Sequence, residues 1–274
     1  MSSVELSPPV GETARRRPRW RRLEQLSPAL LILGLIALWE AAVRLLDIPR
    51  FLLPAPSEIV QLAINEWSLI QMHSLSTIGS IAAGYATAVV FALAISAVMI
   101  RFPLCERLIM PIFVGLQSVP KIAIAPLILV WVGAGLGSKV LVVASIAFFP
   151  IVINTMAGFK EVDRGLADVF RSVAASERQM FFRLRLPYAM PYIFAGLRIA
   201  TTLAVLGAIV AEWLAASNGL GYLVLSGSFN FNTARSFASI IALAIIGTSF
   251  FALMSWIERL MSWRTAAGDT AEQA

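Results

Sequence analysis

The chain has 274 residues, of which 58% are hydrophobic and only 14% are charged, and its mean hydropathy is +0.79. A soluble domain carries roughly 25% charged residues, and so large an apolar excess cannot all be hidden from water in one core. The composition therefore excludes a soluble globular domain, and it excludes a disordered chain, which would be poor in hydrophobic residues. It predicts a polytopic membrane protein.

The charged residues, cysteines and histidines limit the chemistry further. Lysine and arginine exceed aspartate and glutamate by 22 to 16, an excess that is typical of cytoplasmic loops and does not require nucleic acid as a partner. Cys105 is the only cysteine and His73 the only histidine. We therefore expect no intrachain disulfide, no metal site and no Ser-His-Asp triad.

Six segments are apolar enough to cross a bilayer, for which about 20 residues are needed. Three of them, 75–100, 140–158 and 237–257, contain no charged residue. The other three contain at least one ionisable residue, and the span 108–132 also contains prolines. The predicted spans are 28–46, 75–100, 108–132, 140–158, 192–216 and 237–257. The sequence thus predicts an all-α, six-helix bundle, with a disordered basic arm over 1–27 and a disordered tail over 265–274.

Lysine and arginine are distributed very unevenly between the connecting segments. The arm and the segments after the second, fourth and sixth spans hold sixteen of them, whereas the alternate loops hold three, Arg50, Lys139 and Arg235. Because basic loops remain on the cytoplasmic side, both termini are predicted to be cytoplasmic.

The segment between the fourth and fifth spans, about 160–190, is too charged to cross a membrane. Val169, Val173, Met180 and Leu184 recur at helical spacing. Ser176 is placed to cap a second short helix over 177–184 that ends before Pro187. Two short helices with a bend at 174–176 would form a cytoplasmic knob.

This segment resembles the cytoplasmic signature of the permease subunits of bacterial binding-protein-dependent ABC importers. That signature is Glu-Ala-Ala, three residues, Gly, nine residues and Ile-x-Leu-Pro. Here it begins at Asp168-Val169-Phe170, places Ala174 at the glycine and ends with Leu184-Arg185-Leu186-Pro187. The spacing and the Leu-Pro end are kept, whereas both alanines and the glycine are changed.

Five further stretches are similar to permeases of the nitrate, sulfonate and taurine branch of these importers. They are FLLPAPSEIV (51–60), SVPKIAIAPLILVWVGAGLGSK (118–139), FFPIVINTMAG (148–158), PYIFAGLRIA (191–200) and AEWLAASNGLGYL (211–223). The resemblance implies the type I ABC importer permease fold in a bacterial inner membrane. It also implies a homodimer of permeases, two ATPase subunits and an extracytoplasmic solute-binding protein.

In such an importer the knob would be the coupling helix that docks in a cleft of the ATPase, and alternating access would follow from rocking of the helix bundles. The coupling candidates that the resemblance gives are Asp168, Ser172, Ala174, Ala175, Ser176, Glu177, Arg178, Leu184, Leu186 and Pro187. ATP and Mg²⁺ would be bound by the partner, because this chain lacks the Gly-x4-Gly-Lys-Ser/Thr phosphate loop. The chain itself is predicted to be non-catalytic and to bind no cofactor.

Two other functional classes remain as alternatives. An intramembrane enzyme would need convergent catalytic groups, but His73 has no aspartate or glutamate within six residues and the spans contain no paired carboxylates. An ATP-independent channel or secondary transporter would need no ATPase and would leave the cytoplasmic knob unexplained.

Ionisable residues within spans are costly and are candidates for function. Glu40 and Arg44 are four residues apart and are expected to form a structural ion pair, and a structural role is expected for Arg198. Lys121, which follows Pro120, is predicted either to attract an anion or to be structural. The pathway candidates are Gln117, Ser118, Lys121 and Glu212.

The transported solute is the least determined property, since much of the selection rests with the binding protein. Lys121 favours a small anion such as a sulfonate, taurine or nitrate. A pyrimidine, a thiamine precursor or a riboflavin-like solute is the alternative.

Overall fold

The computed structural model describes residues 20–215 and 217–261, so that most of the predicted arm and the whole predicted tail lie outside it. The described part of the chain consists of helices joined by short turns and loops and contains no β-strand. Its helices are α1 Trp20–Leu45, α2 Pro56–Asn65, α3 Trp67–Arg101, α4 Pro103–Gln117, α5 Ala125–Val132, α6 Leu136–Lys160, α7 Arg164–Ser172, α8 Glu177–Met180, α9 Leu186–Ala215, α10 Leu220–Phe229 and α11 Thr233–Leu260. A 3₁₀ turn, Lys121–Ile124, precedes α5, and a π turn, Phe181–Arg185, joins α8 to α9. Helix α1 begins at Trp20, within the predicted arm.

Four helical segments in the described ranges are long and apolar enough to cross a membrane: α3, α6, the continuous helix Glu177–Leu214 and α11. The pair formed by α4 and Lys121–Val132 would make a fifth if it counts as one broken span. Helix α1, which covers the predicted first span, has 26 residues. The chain is therefore an all-α, multi-pass membrane protein, whereas the count of six spans stays a prediction.

The predicted third span is broken rather than straight. Its two halves, α4 and Lys121–Val132, meet at 91°. The break falls at Pro120, which lacks an N–H and disfavours helical geometry in the residue before it. Pro126 does not interrupt α5, because it occupies the first helical turn, where a missing N–H costs nothing.

Helices α3, α6 and α9 form the centre of the bundle, and glycines let α6 and α9 approach closely along their antiparallel length. A Cβ added at Gly158 would lie 2.9 Å from Ala189 Cα, and one at Gly196 would lie 3.0 Å from the carbonyl oxygen of Pro150. One at Gly207 would lie 3.0 Å from Cα of Val143. Small residues at such contacts permit the backbone approach on which helix association in membranes depends.

Two predicted structural roles for charged residues within the spans agree with the structure. Arg44 Nε lies 2.6 Å from Glu40 Oε1, and the backbone N–H of Ser57 donates to the other oxygen of that carboxylate at 3.0 Å. Arg198 pairs with Glu258 of α11 at 3.3 Å. The first pair lies within α1 and is tied to α2 through Ser57, and the second joins α9 to α11, so the charges of both pairs are compensated within the bundle.

Candidate coupling segment and translocation residues

The predicted bend between the two cytoplasmic helices is present and is centred on Ala174. The Asp163 side chain caps α7 by accepting from Leu166 N–H at 3.1 Å. At the other end, Ala174 has φ +53°, and its N–H and that of Ala175 donate back to the carbonyls of Arg171 and Phe170, each at 3.0 Å. This Schellman motif normally uses glycine at the left-handed position. The bend is therefore made with an alanine where the signature has glycine.

Ser176 begins the next helix, as predicted. Its hydroxyl accepts from Gln179 N–H at 3.3 Å, and the Gln179 side chain accepts from Ser176 N–H at 2.8 Å. This reciprocal capping box satisfies two backbone donors that a helix start leaves free.

The prediction that this second helix ends before Pro187 is wrong. From Glu177 the chain runs through the π turn into α9 and stays helical to Leu214, a segment of 38 residues. The π turn lies directly before Pro187, where Leu186 N–H donates to the carbonyl oxygen of Phe181 five residues back, and the helix continues past the proline.

The coupling candidates divide into an exposed tip and a buried junction. Ala175 is half-buried at the bend, and the exposed members are Asp168, Ser172, Ala174, Ser176, Glu177 and Arg178. Leu184 is only 4% exposed, and Leu186 and Pro187 are half-buried where the segment meets the bundle.

The predicted apolar stripe along this segment splits in the same way. Met180 and Leu184 are buried, but Val169 and Val173 are 58% and 71% exposed. Sequence periodicity placed both valines on one face of a helix. It could not predict that no other part of the described chain packs against this face. They join the candidate contact surface.

Three of the four pathway candidates lie together at the break between α4 and α5. Gln117 and Ser118 are exposed at the end of α4. The Lys121 Nζ atom lies 3.4 Å from the Gln117 carbonyl oxygen and 4.9 Å from the centre of the Phe149 ring. Phe149 itself packs edge-on against Phe113 at 5.9 Å. The site thus places a cation beside aromatic rings.

Glu212, the fourth candidate, belongs to a different and fully buried polar cluster. Its side chain is 0% exposed, and its Oε1 accepts from the Thr77 hydroxyl at 2.8 Å. Its Oε2 accepts from Gly221 N–H at 2.8 Å, and Lys139 Nζ lies 3.9 Å from Oε1. A buried ion pair of this kind is tolerated only with such additional hydrogen bonds.

The same cluster fastens the turn 217–219 to the bundle. Gly219 N–H donates to His73 Nδ1 at 2.9 Å, and the same nitrogen lies 3.1 Å from the Gly219 carbonyl oxygen. Lys139 Nζ donates to the carbonyl oxygen and the Oδ1 of Asn218 at 2.9 and 2.6 Å. Sequence reasoning did not connect these residues, because they lie on α3, α6 and the turn. The Gly219-x-Gly221 pair shortly after Glu212 was the available signal.

Comparison with known proteins fixes the family. The model of a family described as the binding-protein-dependent transport system inner membrane component matches residues 84–263. The chain belongs to this family. The resemblance proposed from the signature at Asp168–Pro187 is thereby confirmed.

Three curated relatives illustrate the range of the family. The formylaminopyrimidine transport permease protein ThiX of Halalkalibacterium halodurans is 37% identical over 246 residues, which is 89% of this chain and 98% of the relative. The riboflavin transport system permease protein RibX of Chloroflexus aurantiacus is 34% identical, over 90% of this chain and 95% of the relative. The taurine transport system permease protein TauC of Escherichia coli is 29% identical, over 84% and 88%.

Membership in this family defines the role of this chain. It is the permease subunit of an ABC importer, a non-catalytic protein whose ATPase and solute-binding protein are separate partners. No group of three or more His, Cys, Asp or Glu side chains able to hold a metal ion occurs among residues 20–215 and 217–261.

Proposed function

We propose that this permease works as a homodimer with two ATPase subunits, which dock on the exposed tip of the segment from α7 to α8. The binding protein engages the opposite face. In this arrangement both termini and the tip lie in the cytoplasm of a bacterium, and the pathway runs between the two permease copies.

The observation that carries the proposal is the continuity of the helix that starts at the tip. It runs from Glu177 to Leu214, and its α9 part makes the most extensive packing in the fold, against α6. A rigid helix displaced at one end moves along its whole length. Motion of an ATPase at Ser176 is therefore carried along this helical segment, through the π turn Phe181–Arg185, toward the far end of the permease near Glu212.

The surface of the tip favours a protein partner. Val169 and Val173 are exposed on a segment that also carries exposed Asp168, Glu177 and Arg178. Apolar side chains framed by charges are typical of a contact surface. The alternative of a helix lying on the membrane surface gives no role to the sharp bend at Ala174.

For the solute we propose a small anion, drawn by Lys121. The Lys121 ammonium group has no carboxylate within 4.0 Å in the described ranges, and its charge is offset only by a carbonyl oxygen and the Phe149 ring. A cation in a membrane without a counter-charge attracts an anionic solute. The taurine permease among the relatives transports a sulfonate, which agrees with this choice.

A flat heterocycle is the second candidate, and two observations favour it. Two relatives above 30% identity are named for formylaminopyrimidine and riboflavin. In addition, Phe113, Phe148 and Phe149 form a cluster of edge-on rings beside Lys121, with centroids 5.3 to 5.9 Å apart. Aromatic rings of this kind bind flat solutes by stacking.

The coupling proposal is tested by copurification of the ATPase with the tagged permease in mild detergent. Ala175→Arg places a bulky charge in the bend and should abolish copurification while the permease still inserts. Glu161→Arg, an exposed change in the same segment but before α7, should leave copurification intact. Absence of the ATPase with the wild-type chain, or equal copurification with Ala175→Arg, would refute the assignment.

The solute is tested by uptake into proteoliposomes. Lys121→Met should reduce taurine or nitrate uptake at least tenfold, and Lys121→Arg should restore most of it, because the loss is one of charge. If instead formylaminopyrimidine uptake is measurable and unaffected by Lys121→Met but lost in Phe149→Leu, the heterocycle is the solute.

A further inference from the structure

The turn 217–219 has an exposed edge and a buried root. Ser217 and Asn218 are exposed, whereas Gly219 is buried. The root is held by His73 and Thr77 of α3, which accept from the backbone N–H groups of Gly219 and Leu220 at 2.9 and 2.8 Å. The turn is thus rigid although its edge is open.

Gly219 and Gly221, at the buried side of the turn, lie directly against the Glu212 carboxylate. Gly219 has φ +112°, and an added Cβ there would lie 2.1 Å from Glu212 Cδ. At Gly221 an added Cβ would lie 3.0 Å from the carboxylate oxygen Oε2. Helices α3, α6 and α9 already pack against one another through apolar and glycine contacts. The polar cluster around Glu212 therefore serves in particular to hold the turn 217–219 in position.

The cluster also fixes the orientation of the Asn218 amide. The Lys139 ammonium donates to Asn218 Oδ1 at 2.6 Å, and the Ser76 hydroxyl donates to the same oxygen at 3.0 Å. Both partners are donors, so the oxygen must face them and the amide NH₂ must face away. Glu212 in turn holds Lys139 in place from 3.9 Å.

Asn218 lines an open cavity. This cavity of about 440 Å³ is lined by residues of the turn, by the loop around Gly135 and by Lys139. The side chains on the turn edge are uncharged hydrogen-bonding groups. By the distribution of lysine and arginine, this end of the permease faces away from the cytoplasm.

We propose that Asn218 donates its amide hydrogens to an acceptor oxygen, carboxylate or backbone carbonyl, of the solute-binding protein, and that Lys139 and Ser76 are the positioning residues that orient it. The inference rests on the proposed function, which provides a binding protein on this face. Beyond that function, the inference names Asn218 as the contact residue and makes the permease the hydrogen-bond donor and the binding protein the acceptor.

The decisive variant is Asn218→Asp. Aspartate keeps the oxygen that Lys139 and Ser76 bind, so that the turn is retained, but it replaces the outward NH₂ donor with an oxygen that repels an acceptor. Loss of a hydrogen bond together with this repulsion should raise the binding protein's half-maximal concentration for stimulating ATP hydrolysis at least tenfold. Asn218→Ala, which removes the donor without adding repulsion, should raise it by roughly three- to tenfold.

The control is Asn65→Asp, which makes the same charge change at an exposed position of α2 on the same face of the permease. The assay uses the full permease–ATPase complex in nanodiscs, with the solute-binding protein encoded beside the permease titrated in. A shift in Asn218→Asp with none in Asn65→Asp supports the inference. Equal shifts in both variants, or no shift in either variant of Asn218, overturn it.

The two proposals fail in different ways. A chain that copurifies no ATPase contradicts the proposed function. A chain that assembles with the ATPase but whose Asn218 variants respond to the binding protein as the wild type does contradicts only this inference. Thermal melting of each complex separates a contact effect from unfolding, and Asn218→Asp should melt no lower than the wild type because Lys139 gains a carboxylate partner.

Discussion

Removal of the Glu212 carboxylate should be among the most damaging single changes in the permease. Glu212→Ala leaves the buried Gly221 N–H without its acceptor, which costs about 1–3 kcal/mol. It also leaves Lys139, which is 6% exposed, without its buried counter-charge. Breaking a buried pair by removing one partner costs roughly 3–5 kcal/mol in total free energy of unfolding.

The double variant Glu212→Gln with Lys139→Met tests whether this cost comes from an unpaired charge. Glutamine can still accept from Gly221 N–H, and methionine fills the volume of the lysine stem, so no buried charge remains. We expect the double variant to lose only about 1–2 kcal/mol, mainly through the Asn218 hydrogen bonds. Titration of the purified permease with SDS gives the free energy of unfolding. A Glu212→Ala protein within 1 kcal/mol of the wild type, or a double variant at least as unstable as Glu212→Ala, would refute the reasoning.

Two further predictions concern backbone geometry and packing. Ala174→Gly should raise the free energy of unfolding by up to about 1 kcal/mol, because glycine adopts the left-handed conformation at φ +53° without steric cost. Ala174→Val should lower the free energy of unfolding. Thermal melting of the permease–ATPase complex compares the two variants, and a destabilised glycine variant would contradict the role of the bend. Gly84→Ala should lower the free energy of unfolding by about 1–3 kcal/mol, since its Cβ would lie 2.4 Å from Val143 Cβ. Gly79→Ala on the same helix meets nothing within 4 Å and should be neutral or stabilising. Similar melting temperatures for the two variants would mean that α3 and α6 can separate freely.

The local features of the coupling segment could be predicted because they depend on neighbouring residues. Ser176 is followed three residues later by Gln179, and this spacing defines the capping box that the structure contains. The bend at Ala174 followed from the signature spacing. The end of the helix before Pro187 was predicted from the usual effect of proline, and it was wrong because the chain stays helical through a π turn directly before Pro187.

The predicted pathway candidates divide along the same line. Gln117, Ser118 and Lys121 are close in sequence at a proline, and they are close in space. Glu212 looked like a pathway residue because an ionisable group in a span is expensive. Its partners Thr77 and Lys139 are separated from it by 135 and 73 residues, so that no local pattern could pair them.

Composition and charge distribution were sufficient to predict a multi-pass membrane protein, because burial of apolar surface and the placement of basic loops are properties of the chain itself. The resemblance of the spaced signature and of five further stretches to importer permeases supplied the predicted function. The tertiary structure decided what those properties leave open. It joined the candidate coupling tip and the Glu212 cluster to opposite ends of one helix, and it left Val169 and Val173 exposed. It also turned the Asn218 amide outward, because long-range contacts from Lys139 and Ser76 determine which of its two ends is free.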